Sequence, residues 1–365
     1  MAATAAPRSP ATIAPAPPTL AVPLPLAGLL ARAVVAGLVA AAVLVPPLLA
    51  GSVWQQRIAL AAIYAVIGLS VNVLTGHAGQ ISLGHQAFVG IGAFTSAYLS
   101  FRLAAGFPVA VLVAAATGAA LAGVLGLAAL RIRGLYLALV TLAFGLTAET
   151  TLFNWRAFTG GGAGAEAPRP ALVGTDLRYS YLCLAVLGLV LLLDWRLVRT
   201  KAGRAFVVLR GDERVAATLG VNVTGYKLLA FVLSGLLAGL AGALFAHWSQ
   251  VVQALDFDFQ IALVWVVMAV VGGLRSRAGV VLASAFFALL PTVLPELLTA
   301  SPVQPPFLNE AVYHVLPPFV AVVLLLLTLI LVPGGVGQLL LPVRRWLAGG
   351  RLRTGRSAPQ AGDGG

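Results

Sequence analysis

Apolar and polar positions along this chain are sorted into long blocks rather than alternating at the period of a half-buried strand or surface helix. Apolar runs fall at about 27–50, 58–75, 81–101, 108–130 and 134–153, and beyond a polar segment at 179–195, 228–247, 259–274, 279–299 and 311–332. Each is near the ~20 residues that a helix rising 1.5 Å per residue requires to cross ~30 Å of hydrocarbon. The pattern predicts an all-α, polytopic membrane protein with about ten transmembrane helices, one of them discontinuous near 76–94. Residues 1–26, rich in Ala and Pro, predict a disordered tail. Residues 27–332 form the transmembrane domain, and 333–365 a basic tail.

Composition agrees. Of 365 residues 60% are apolar and 9% charged, and mean hydropathy is +0.99, whereas soluble domains carry roughly 25% charged residues. The net charge of +12 does not point to nucleic acid, because the basic residues sit in the loops between apolar runs. The most basic loop, 194–227, holds seven of the 23 Lys and Arg residues. Basic loops are retained in the cytoplasm, and ten spans then place both termini there as well. On that assignment 18 Lys and Arg residues lie inside and five outside. The single cysteine, Cys183, lies within an apolar run, so there is no disulfide framework and its role is packing.

The 194–227 loop has internal order. Asp212 is a good N-cap residue and Glu213 puts negative charge in a first helical turn. Val215, Ala216 and Leu219 recur at helical spacing, with Ala217 between them, and Gly220 is a stop. The spacing predicts a helix of about two turns, some 10 Å long. Its apolar face needs cover, supplied either by a partner protein or by its own bundle and the lipid headgroups.

A second interruption, GHAGQISLGHQAFVGIGAF (76–94), places five Gly before and within an apolar run, 87–101, too short to span unless its polar start also enters the membrane. Broken helices are tolerated at membrane depth where they line a cavity, and their free N–H groups can meet an anionic ligand group. Gln80, Ser82 and His85 would add side-chain hydrogen bonds. The same Gly residues also fit a turn built only for tight packing. His77 and His85 have no third ligand nearby in sequence, so no metal is expected. There is no G-x-x-x-x-G-K-[ST], so the chain holds no P-loop. Only Arg32 approaches the centre of a predicted span, and the lack of mid-membrane carboxylates argues against a self-powered carrier.

These residues also resemble a known family. The 76–94 segment is similar to the signature after the second span of LivM-type permeases of branched-chain amino acid ABC importers. RIRGLYLALVTLAFG (131–145), NWRAFTGGGAGAEAPRP (154–170) and the block 203–244 resemble further segments of the same family, in the same order. The resemblance implies a membrane-spanning importer subunit that moves Leu, Ile or Val into the cytoplasm across a bacterial inner membrane. Related permeases take urea, short amides or aromatic acids. Asp212, Glu213, Val215, Ala216, Ala217, Leu219 and Gly220 fall on the family's coupling helix, which would dock on a separate ATPase. Two such ATPase subunits would carry ATP and Mg²⁺, leaving this chain without cofactor or catalytic residue. A LivH-type second permease and a periplasmic or lipid-anchored binding protein would complete the assembly. The substrate path is expected along Gly79, Gln80, Ser82, Gly84, His85 and Phe88. The chain departs from the family at GGLRSRAGVVLAS (272–284), where Arg275, Val280 and Ala283 stand for Gly, Pro and Gly. It departs again at Ala165 and Glu166 in the outer loop.

Overall fold

A computed structural model describes residues 37–38, 41–130, 132, 134–161, 164–299, 310–331 and 334–338. Among them, seven helices are long and apolar enough to cross a membrane: Ser52–His77, Phe107–Ala129, Leu135–Leu152, Asp176–Arg199, Val223–Ser249, Ala254–Gly272 and Arg277–Leu298. The chain is therefore an all-α, multi-pass membrane protein; the count of ten is not reached on the described residues. Half of the first expected span, 27–50, lies outside them. Two more of the expected ten are helices that do not join the seven. His85–Arg102 carries polar residues at both ends, and Glu310–Leu331 occupies the last expected run.

In chain order, α1 (Ser52–Val71) runs on as a π-helix, Asn72–His77, and α2 is His85–Arg102. Next come α3 (Phe107–Ala129) and α4 (Leu135–Thr147), the latter also ending in a π-helical turn, Ala148–Leu152. The segment after α5 (Asp176–Arg199) folds as two short helices, α6 (Lys201–Gly211) and α7 (Glu213–Thr218), before α8 (Val223–Ser249). The bundle ends with α9 (Phe259–Gly272), α10 (Arg277–Thr299) and α11 (Glu310–Leu331). Side-chain caps fix these corners. Thr200 caps α6, Asp212 caps α7 by accepting from Arg214 N at 2.7 Å, and Asn222 caps α8 by accepting from Gly225 N at 2.9 Å.

α8 is the centre of the bundle, packed on α1, α2 and α3. Without a hydrophobic force between helices in lipid, close approach has to come from small residues. A Cβ on Gly118 of α3 would sit 2.5 Å from Gly235 O, and one on Gly92 of α2 would sit 2.4 Å from Gly239 O. At one end of the bundle the loop before α5 is stitched to the end of α8. Ala165–Glu166 pairs antiparallel with Val251–Val252. Arg169 donates to His247 O and Trp248 O at 3.0 Å each and to Asp176 at 2.6 Å, satisfying carbonyls at the C-terminus of α8.

Candidate functional site

The predicted discontinuity lies at residues 78–84, between the π-helical end of α1 and the start of α2. π-Turns recur at functional sites, and this one delivers the chain into the break. The break is not a row of free amides. Ala78 N, Gln80 N and Leu83 N donate to Val73 O, Leu74 O and Thr141 Oγ1. Gln80, Ser82, Gly84, His85 and Phe88 are all buried, whereas Gly79, at φ +72°, faces outward against Arg210. Gly84 packs on Thr141 O, Gly90 on the Phe153 ring and Gly92 on α8. These glycines permit close packing, while the polar residues among them are drawn into the interior.

What surrounds the break is polar. His85 Nε2 lies 3.0 Å from Ser234 Oγ of α8, and Ser234 donates to Ser70 O of α1 at 2.9 Å. Phe88 stacks between His85 and Phe144, with ring centroids 5.7 and 6.1 Å away. The side-chain hydroxyls of Ser70 and Ser82 and both amide atoms of Gln86, and further along α1 the Ser284 hydroxyl against Gly68, are buried without a hydrogen-bond partner. Such groups are costly inside a protein and call for a functional account. The sequence reading did not single out Ser70, Ser234 or Ser284, and it left Gln86 unnamed within the predicted break. Gln86 alone carried a signal, a polar residue at the start of an apolar run.

The charged groups sort to the two ends of the bundle. Arg57 pairs with Glu296 and Arg169 with Asp176 at one end. At the other, Asp194 binds both His77, at 2.9 Å, and Arg277, tying α5 to the end of α1 and the start of α10. His77 and His85 thus serve separate partners.

α7 stands at this second end and matches the predicted helix closely, with Asp212 at its N-cap and Gly220 beyond it at φ +74°. Its apolar residues split between two surroundings. Ala216 is fully buried, while Val215 and Leu219 are 50% and 66% exposed. Glu213 forms an ion pair with Lys227, a residue of α8 only 2% exposed. α7 is thus anchored to the central helix on one side and exposes Val215 and Leu219 on the other, with Arg214 and Thr218 exposed beside them. α6 was not foreseen; it buries Ala205, Phe206 and Leu209 beneath an exposed basic surface.

Comparison with known proteins follows the same lines. The high-affinity branched-chain amino acid transport system permease protein LivM of Salmonella typhimurium is 36% identical over 254 residues, covering 61% of this chain and 59% of that protein. LivM of Escherichia coli is 36% identical over 257 residues, 62% of this chain and 60% of its own length. The autoinducer 2 import system permease protein LsrC of Enterobacter sp. is 35% identical over 123 residues, 32% of this chain and 36% of that protein. The matched region thus spans about six-tenths of the LivM proteins. No solved structure matches. The family described as branched-chain amino acid transport system, permease component, matches residues 55–333. That range takes in the break, α7 and the helices through α11, and the chain belongs to this family of ABC transporter permeases.

Proposed function

We propose that this chain is one membrane-spanning half of an ATP-driven importer that moves branched-chain amino acids into the cytoplasm. The observation that carries the reading is α7, with Val215 and Leu219 bare on its outer side while Glu213 and Ala216 anchor it to the bundle. A cytoplasmic ATPase subunit covers that apolar face, in line with the family resemblance. ATP and Mg²⁺ bind there, and this chain needs no cofactor of its own. The other halves are a LivH-type permease and a second ATPase, with a periplasmic or lipid-anchored protein delivering substrate. Ten spans and cytoplasmic termini complete this reading.

Force applied to α7 has a route inward. Through Glu213 it reaches Lys227 in α8, and Ser234 lies seven residues further along, about 10 Å at 1.5 Å per residue. Ser234 holds His85, so a tilt of α8 draws on the break. Gly79, Gln80, Ser82, Gly84, His85 and Phe88 line the substrate path, with Gln86 beside them. The burial of all of these but Gly79 corresponds to a closed state, and movement of α8 frees the unpartnered Ser82 and Gln86 groups for a passing zwitterion. Selectivity lies mainly with the binding protein, so urea, short amides, aromatic acids or an autoinducer-like solute are the competing cargoes.

The test is uptake into proteoliposomes holding the whole complex and its binding protein, with radiolabelled leucine, isoleucine and valine compared with urea and benzoate. Leu219→Asp and Gly220→Val are expected to abolish ATP-dependent uptake of the branched-chain amino acids. Intact uptake in both variants refutes the coupling role. Uptake by this chain without ATPases refutes the transporter class, and preference for another solute moves the cargo alone.

A further inference from the structure

At the end of the bundle that bears α6 and α7, a cavity of about 420 Å³ opens between α6, the turn before α10 and the 334–338 turn. That volume falls within the ~300–1,000 Å³ range of small-ligand sites. Its lining gathers Arg210, Arg275, Arg277 and His77, with Ser276 and Gln338 as neutral polar groups.

The carboxylates of the chain do not balance this charge. Of the eleven Asp and Glu residues, seven (Glu149, Glu166, Asp176, Asp256, Asp258, Glu296 and Glu310) belong by chain order to the opposite end. Asp194 has both oxygens engaged, one by His77 and one by Arg277. Asp212 accepts from Arg214 N at its cap and Glu213 pairs with Lys227. Asp363, beyond the described residues, is accompanied there by five Arg. Arg210 donates to the Gly76 carbonyl at 2.5 Å, and among the described residues neither it nor Arg275 meets a carboxylate. Burial, and then the charge of Arg275, hold the Arg210 guanidinium below its usual range.

The backbone at Arg275 adds a second, independent observation. Its φ of +77° lies in the left-handed region that glycine occupies freely and a long side chain does not. The turn is held there by Arg275 N donating to Asn72 Oδ1 at 2.7 Å. Ala104 and Gln250 also sit at positive φ, but Arg275 alone of the three carries its side chain into a cavity lining, and strain held at such a position is consistent with a functional role. Here the side chain adds a second unbalanced guanidinium to a cavity that already had one.

We infer that this cavity binds a phosphate group between Arg210 and Arg275, with Ser276 and Gln338 completing the site. Two guanidinium forks suit a tetrahedral anion with several acceptor oxygens. The cavity also reaches Val198 in the last turn of α5, at the end of a span where lipid headgroups lie. The ligand is thus either the headgroup of an anionic phospholipid or a soluble phosphate.

The experiment uses the full chain in nanodiscs of phosphatidylcholine, with or without phosphatidylglycerol. Inorganic phosphate binding is followed by calorimetry and lipid retention by native mass spectrometry. Arg275→Gly removes the guanidinium and relaxes the backbone, and Arg275→Gln removes the charge while keeping the side chain and its φ. Binding is expected to weaken about tenfold or more in both, the loss of a charge-assisted hydrogen bond, while Arg275→Gly keeps or raises thermal stability. Phosphate binding in pure phosphatidylcholine assigns a soluble ligand. Selective phosphatidylglycerol retention, with free phosphate inert, assigns a headgroup. No binding of either probe, or binding unchanged in both variants, overturns the proposal. Without either binding, weakened ATPase association in the variants would mean that a partner's acidic side chain fills the cavity, and the proposal fails equally. None of these readouts depends on the transport assay.

Discussion

The Glu213–Lys227 pair permits a stability test whose outcome is asymmetric. Lys227 is 2% exposed, whereas the Glu213 side chain keeps 14% of its surface. Glu213→Gln leaves a cation buried opposite a neutral amide, and breaking a buried pair in this way costs about 3–5 kcal/mol. Lys227→Met removes the cation and supplies an unbranched apolar side chain that adapts to its surroundings. Glu213 is the less buried partner of the pair, and the cost is about 1–2 kcal/mol. The double variant buries no charge, and it should fall within about 1 kcal/mol of the parent. The cycle is therefore non-additive by at least about 2 kcal/mol, measured by reversible unfolding in mixed micelles followed by circular dichroism. Equal costs for the two single variants, or additivity within about 0.5 kcal/mol, would refute the argument. Function separates from stability in the double variant. Folded but untethered, it should hydrolyse ATP in the assembled complex while importing poorly, and normal uptake would sink the route through Lys227.

Three further outcomes are expected. Gly118→Leu drives a side chain into Gly235 O and Gly239 Cα, where even a Cβ would sit 2.5 and 2.9 Å away. It should cost about 3 kcal/mol or more, read as lost monodisperse elution and a lowered unfolding midpoint. Gln86→Leu replaces two unpartnered buried amide atoms with carbon, so stability should hold or rise by about 1 kcal/mol while substrate uptake falls. A gain in stability with unchanged uptake would remove Gln86 from the path. Arg169→Ala removes the Arg donor of the two α8 carbonyls and leaves Asp176 only Gln56 among the described residues, and should cost about 2–3 kcal/mol. Arg178→Ala, on the exposed surface, should stay within about 0.5 kcal/mol in the same unfolding assay.

Features written in adjacent residues were legible in the sequence, and features made by folding distant ones together were not. Hydrophobic run length located the helices, and the Asp212 cap and Gly220 stop delimited α7 because capping is local chemistry. The break was visible from its Gly and amide residues, but its solvation was not. The amides of Ala78, Gln80 and Leu83 are satisfied by the preceding π-turn and by Thr141, contacts that no spacing rule announces. α6 was obscured for another reason. Its buried Ala205, Phe206 and Leu209 do follow helical spacing, yet the density of positive charge around them reads first as a solvated loop. Arg275 was legible as a departure from glycine, though not as a cost, because the cost lies in a positive φ that only the folded turn imposes.

The non-local pairs bear directly on the transport reading. Asp194 joins the ends of α1 and α5 to the start of α10, and Glu213 joins α7 to α8, all at one end of the bundle. The Gly-lined contacts of α8 with α2 and α3 lie along its length. Close backbone-to-backbone contacts of that kind let helices slide or tilt as rigid rods, since small residues leave no interlocking side chains between them. A push at α7 is therefore transmitted along α8 rather than absorbed within it. The first part of the structure able to yield is the non-helical break held by Ser234 and His85. On the proposed transport reading, a rigid helix above a soft break would put the moving part at residues whose polar groups are buried without a partner.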